Sequence, residues 1–249
     1  MNKGDFLKNK NQIFLIIILI IAFVLRISFF NINTALWWDE AEYLVMAKDF
    51  AFHTTISGVN IWADWNPVRP VLLPLIWAFF FKIGLGEITI RFFTQFLPSL
   101  ALVFVIYLLG KEIYNKKIGL ISSFIYSVFW LSLFLTSRLL TEQISFLFGL
   151  LSIYFFLKGY IKKEKDVYIY LSGILMILAI LFRFPTGILV IPLVLFLLIR
   201  DKLIFLKNKH IWLTVLITTV VVVVPYIIWN IIKFKTIFPC KHVFESIRS

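Results

Sequence analysis

The sequence predicts an all-α polytopic integral membrane protein, with about seven transmembrane helices and interfacial helices in the first external loop. Three observations predict it. Hydrophobic residues make up 61% of the 249-residue chain, with 28 phenylalanines and a mean hydropathy of +0.95, whereas soluble domains are about half apolar. Several apolar stretches approach the roughly 20 residues that cross about 30 Å of hydrocarbon. Lysine and arginine gather in the loops between those stretches, which is how helical membrane proteins set their orientation. The net charge of +12 therefore reads as an orientation signal and not as a nucleic-acid footprint.

The spans follow in order. "MNKGDFLKNKNQ", residues 1–12, is a basic cytoplasmic tail, and the apolar run at 13–30 behind it is too long for a signal peptide and has no small-x-small cleavage site. It reads as a retained signal anchor. Further spans are expected at 91–109, 118–135, 142–158, 169–184, 186–200 and 211–232. Residues 71–83, "VLLPLIWAFFFKI", are short for a crossing, contain Pro74 and end near Lys82. Charge parity decides their state. If they do not cross, loops 1–12, 110–117, 158–168 and 200–210 share one face and carry 14 of the 25 Lys and Arg residues. The opposite face then holds eight of the 13 acidic residues. If they do cross, "KEIYNKK" and "KGYIKKEKD" face outward, against the positive-inside tendency. The expected protein is one membrane module over 1–249, its N-terminus cytoplasmic, its first external loop at 31–90, and residues 233–249 opening a further external loop that is cut short. The single Cys240 excludes an intramolecular disulfide.

On this topology Asp39, Glu40, Arg69, Arg138, Glu142 and Arg183 all fall at the external surface. Ionisable residues at the membrane boundary are costly and usually functional. "WWDEAEY" follows the first span. Trp37 and Trp38 read as headgroup anchors, and "DEAEYLVMAKDF" as a short helix lying with Ala41, Leu44, Val45 and Lys48 toward the interface. Asp39 near its start is either an N-cap or a functional carboxylate paired with Glu40. In "NPVRPVLLP", Pro70 holds Arg69 extended, so that it either offers its fork to a phosphate or snorkels to headgroups. "TSRLLTEQ" is a tight corner in which Arg138 and Glu142 have the spacing of an i,i+4 pair. "FRFPTG" is a second corner, where Pro185 ends a helix behind Arg183. No nucleotide motif, catalytic serine arrangement or histidine cluster appears, and nucleic acid is not an expected partner.

The ordered series "WWDEAEY", "RPVLLPL", "GLGEITIRFFTQFLPSLALVFVIYLLGKEIY", "TSRLLTEQISFLFGLLSIYFF", "RFPTGILVIPLVLFLL" and "VPYIIWNIIKFKTIFP" resembles the GT-C class of membrane glycosyltransferases. Within that class it is similar to the branch of dolichyl-phosphate-mannose protein mannosyltransferases and lipid A aminoarabinose transferases. It departs from that branch at Val71, where a second proline is usual. The resemblance implies that Asp39, with Glu40 beside it, is catalytic. It also implies that Arg69 and Arg138, the latter followed by Glu142, handle the lipid phosphate, and the chain corresponds to the N-terminal module of longer relatives. A separate C-terminal half is then an expected partner.

A polyprenyl-phosphate sugar leaves as a phosphate that is already anionic. The enzyme then needs cations for that phosphate and a base for the acceptor hydroxyl of a protein, lipid or glycan. Direct displacement inverts the anomeric centre. The sequence points to no particular cofactor; the lipid-linked (polyprenyl-phosphate) sugar is the donor substrate, and a divalent cation stays open. The rival readings are a transporter or lipid flippase and an inactive subunit of a split glycosyltransferase. Transporters place polar groups at the bilayer midplane on broken helices, whereas spans 118–135 and 211–232 offer no charge at depth.

Overall fold

The computed structural model describes residues 3–30, 35–52, 70–202 and 204–234. Ten helical elements and a short 3-10 turn at Ile204–Lys207 run through them: α1 (Lys3–Phe30), α2 (Trp38–Phe52), α3 (Leu72–Lys82), α4 (Glu87–Ile113), α5 (Lys116–Val128), α6 (Trp130–Thr136), α7 (Glu142–Ile161), α8 (Val167–Phe182), α9 (Phe184–Asp201) and α10 (residues 209–234). No strand occurs among the described residues. The protein is an all-α polytopic membrane protein.

Five helices are long and apolar enough to cross, in α1, α4, α7, α9 and α10, and α5 with α6 makes a sixth broken by a 56° bend. The remaining expected span is α8, whose 16 residues measure about 24 Å. The segment at 71–83 forms α3, an 11-residue helix of about 16 Å, too short to cross. Pro74 sits in its first turn, where a missing N–H costs no helical bond. Gly84 (φ 82°) closes its other end, with Gly84 N–H on Phe81 O and Leu85 N–H on Phe80 O.

Lipid offers no hydrophobic drive between helices, so close packing and hydroxyl bonds hold the bundle. α1 turns Ile18, Ala22 and Arg26, spaced by four, to the interior and leaves Ile13, Ile16, Ile20, Val24 and Ile27 exposed. α4 is central and lies against α1, α5 and α7. A Cβ on Gly119 of α5 would stand 2.6 Å from Tyr107 O of α4, so only glycine permits that approach. Ser123 Oγ donates to Val103 O across the same pair at 2.8 Å. Ser145 Oγ and Ser152 Oγ of α7 donate to Ala179 O and Ser172 O of α8 at 2.8 and 2.7 Å. Bonds of this kind contribute about 0.6 kcal/mol each.

α2 and α3 close one end of this bundle. Tyr43, Leu44 and Ala47 of α2 pack with Leu73 and Trp77 of α3 over Ile90, Leu139, Ile144 and Phe182. The buried side of α2 is therefore Glu40, Tyr43, Leu44, Met46, Ala47, Asp49 and Ala51, with Ala41, Val45 and Lys48 only partly buried. This corrects the expected interfacial face. α2 packs on protein, so Trp77 and its neighbours select the side that is covered.

The basic loops of the sequence topology lie at the opposite end, where Tyr160 meets Asp201, Lys162 meets Glu112 and His210 meets both Tyr170 and Asp166. In a Cys240→Ser background, a cysteine at exposed Gly86 is expected to react with a membrane-impermeant thiol reagent on whole cells, and one at exposed Lys116 only after lysis. Equal reaction from outside at both positions contradicts the topology.

Candidate active site

The site is built around a short break in the helices. Ser137–Thr141 separates α6 from α7, is not helical, and is buried throughout. Buried backbone groups outside a helix need partners from the protein. Here side chains of α2 and α4 supply them. Arg91 Nη1 donates to Ser137 O at 2.5 Å, Leu139 N–H donates to Glu40 Oε1 at 2.6 Å, and Gln95 Nε2 donates to Leu140 O at 2.7 Å. Gln95 lies in a π-helical turn of α4, Phe92–Phe96.

Glu40 joins this corner to the start of α2. The Trp37 carbonyl accepts the first helical bond, from Ala41 N–H. Trp37 is thus the N-cap, and Glu40 is the third helical residue. Its Oε2 reaches back to accept from Trp37 N–H at 2.6 Å, the carboxylate half of a capping box. The same oxygen accepts from Arg138 Nη1 at 3.2 Å, and Arg138 Nη1 also donates to Ala35 O at 2.7 Å. Glu40 is 1% exposed and Arg138 5%. The Arg138 guanidinium lies 4.3 Å from the centre of the Trp37 ring and 5.1 Å from that of Phe134. Trp37 is therefore a cation–π platform as well as a boundary residue. Asp39 falls inside the first turn, not at the cap, and is partly exposed where the helix dipole favours a carboxylate.

Glu142 opens α7, and its Oε1 lies 2.5 Å from Arg183 Nη1. Arg183 caps the C-terminus of α8 in extended conformation, ahead of Pro185, and also donates to Thr141 Oγ1 at 3.3 Å. The i,i+4 pair of Arg138 with Glu142 does not form, because the residues between them are not helical. Three polar atoms at the corner, Arg138 Nε, Glu142 Oε2 and Gln95 Oε1, are buried with no hydrogen-bond partner, as is Asp49 Oδ2 on α2.

Asp39, Glu40, Arg138, Glu142 and Arg183 thus belong to segments gathered at one end of the bundle. Arg69 lies outside the described residues. Sequence reasoning missed Arg91 and Gln95, which read as ordinary residues of a span and declare themselves only through the corner they satisfy. It also missed Arg26, fully buried in α1, and expected 118–135 to be one continuous span. That span is broken at Phe129, and Arg26 fills the break. Among the described residues no group of three His, Cys, Asp or Glu side chains is assembled to hold a metal.

Residues 68–229 match the sequence profile described as dolichyl-phosphate-mannose-protein mannosyltransferase, which covers well over half of the chain. The chain belongs to that family. It is a membrane glycosyltransferase of the GT-C type. No curated protein and no solved structure matches this mannosyltransferase-family chain.

Removing the charge of Glu40 leaves Arg138 buried without its counterion, a change worth about 3 kcal/mol or more. Glu40→Gln is expected to lower the thermal midpoint of the purified mannosyltransferase-family protein by about 6–12 °C. Adding Arg138→Met is expected to recover at least half of that loss. A double variant no more stable than Glu40→Gln contradicts the pairing.

Proposed function

We propose that the protein transfers a sugar from a polyprenyl-phosphate donor to an acceptor hydroxyl at the external face of the cell membrane. The reading is carried by the unsatisfied, buried Arg138 Nε and Glu142 Oε2 at the corner beside Asp39's helix. A buried donor or acceptor left unpaired costs about 1–3 kcal/mol, and such atoms in a native site mark where a polar ligand completes the bonding. Family membership supplies the reaction class, and the family's own name carries a lipid-linked mannose.

In this reading the donor phosphate meets Arg69 and Arg183, with Arg138 Nε as a further donor and Glu142 holding the Arg183 fork in place. Arginine suits the task because its planar fork matches phosphate oxygens and stays charged at a dry boundary. Asp39 takes the proton of the acceptor hydroxyl. The oxygen attacks the anomeric carbon, the carbon–phosphate oxygen bond breaks, and the anionic polyprenyl phosphate departs without needing a proton. A single displacement inverts the anomeric centre. Glu40, with both oxygens engaged by the chain itself, serves as a positioning group for Asp39's turn rather than as a second base.

Asp39→Asn separates base from helix-start dipole ligand. Asparagine keeps the shape and most of the hydrogen bonding, so expression and donor binding are expected to be unchanged. Transfer from dolichyl phosphate mannose is expected to fall by about 10²-fold or more. Transfer near the unaltered rate removes Asp39 from the mechanism.

The phosphate contacts are tested separately. Arg69→Ala and Arg183→Ala are each expected to weaken binding of a polyprenyl-phosphate analogue by about 10- to 150-fold, the loss of one charge-assisted bond. Unchanged binding in both variants contradicts the phosphate assignment.

A further inference from the structure

Arg26 is a cation sealed inside the bundle, 0% exposed, and every partner it has is neutral. Nε donates to Ser99 Oγ of α4 at 2.7 Å. Nη1 donates to Ser127 O at 3.1 Å and to Ala22 O at 3.3 Å. Nη2 donates to Ser132 Oγ at 3.1 Å. Ser127 and Ser132 stand on either side of the 56° bend between α5 and α6. The sequence at the bend, Ser127-Val128-Phe129-Trp130, contains neither proline nor glycine. Sharp bends need a local breaker or a side chain inserted into the ladder of backbone bonds. Proline and glycine are absent here; Ser127 Oγ donates back to Phe124 O at 2.7 Å within α5, and the Arg26 fork takes up a carbonyl before the bend and a hydroxyl after it, which ties the two sides together.

The network continues outward. Ser99 Oγ bonds Thr136 Oγ1 at 2.9 Å, Thr136 Oγ1 donates to Ser132 O at 2.8 Å, and Gln143 Nε2 donates to the same carbonyl at 2.9 Å. Thr136 is the last residue of α6 and immediately precedes the Ser137–Thr141 corner. Gln143 stands next to Glu142. The direction of α6 therefore decides where Arg138 and Glu142 sit relative to α2.

We propose that Arg26 is a positioning residue for the external site, a buried cation whose bidentate hold on Ser127 and Ser132 keeps α6 bent. The charge is retained because a neutral side chain of that length has too few donors to bridge both sides. Its effect on transfer rests on the glycosyltransferase reading above, but its effect on the bend does not.

The experiment places spin labels at Lys117 and Leu135 in a Cys240→Ser background of the full chain and measures their separation in detergent. Two arms of about 17 and 9 Å meeting at the bend lengthen by about 3 Å when straightened. Arg26→Met is expected to give the longer distance. Arg26→Lys keeps the charge without the fork and is expected to fall between, as is the milder Ser132→Ala, which guards against a folding failure of the first variant. With dolichyl phosphate mannose, Arg26→Met and Ser132→Ala are expected to lower kcat by about 10-fold and about 3-fold with KM for the donor within about 2-fold, since the reaction suffers from misplaced groups rather than lost phosphate contacts. An unchanged distance in both Arg26→Lys and Ser132→Ala overturns the hold on the bend. A changed distance with unchanged kcat in those variants overturns the link to the site. Full restoration of distance and kcat by Arg26→Lys shows that charge alone suffices and also overturns the bidentate assignment. Because the spin-label distance needs no substrate, it stands even if the transfer reading fails.

Discussion

The Glu40 carboxylate is the constraint on which one end of this protein depends. It accepts from the backbone of Trp37, from the backbone of Leu139 and from the Arg138 guanidinium, and it does so at 1% exposure. One side chain thereby completes the N-terminus of α2, satisfies part of a non-helical corner and neutralises a buried arginine. Where water is excluded, each of those bonds is stronger than at a wet surface, and losing any partner leaves an uncompensated group behind. The corner tolerates burial only because three side chains, Glu40, Arg91 and Gln95, take over the bonding that a helix would have provided.

Pairing at this end follows three-dimensional neighbourhood rather than sequence spacing. Glu40 takes Arg138, Glu142 takes Arg183, and Glu87 takes Lys48. These pairs are not equal. Lys48–Glu87 is about two-fifths exposed, and a pair of that kind contributes about 0–1 kcal/mol. Glu40–Arg138 is sealed, so its geometry is enforced by the cost of breaking it. Glu142–Arg183 lies between these extremes, partly exposed and with one carboxylate oxygen unsatisfied. A structural pair holds the corner, and a more accessible pair lies beside it.

The bundle beneath reflects the same logic at greater depth. Two helices broken or widened near this end, α5–α6 and the π turn of α4, each have side-chain donors on the released carbonyls or corner groups. Thr94 Oγ1 donates to Ile90 O within α4, and Trp77 Nε1 of α3 reaches the same hydroxyl at 3.3 Å. A membrane interior admits irregular backbone only where protein satisfies it. Irregular turns occur elsewhere too, at Leu157–Ile161, Ile204–Lys207 and Thr219–Val223, but the buried non-helical corner lies where α2 and α3 cover it. The far end, with its basic loops, has turns with Lys163 and Lys202 at positive φ and partly exposed ion pairs.

Membrane class, the position of most apolar helices and the shortness of the 71–83 segment were legible in the sequence by itself. Hydropathy, length and loop charge act locally along the chain, and lipid selects for them residue by residue. The acidic and basic residues now gathered at one end were also legible, since topology alone assigns them to one surface. Their partners were not. The corner at 136–143 was legible, but the spacing of Arg138 and Glu142 suggests a helical pair that the non-helical Ser137–Thr141 does not allow. An N-cap was one of two readings of Asp39, but Trp37 is the N-cap and Glu40 completes the capping from the third helical position. Arg26 and Arg91 look like chance charges in apolar runs until the carbonyls they meet, from distant segments, are brought beside them. Tertiary structure decided these matters because hydrogen bonding to released backbone groups depends on which helices pack together, and sequence spacing within one helix carries no information about that.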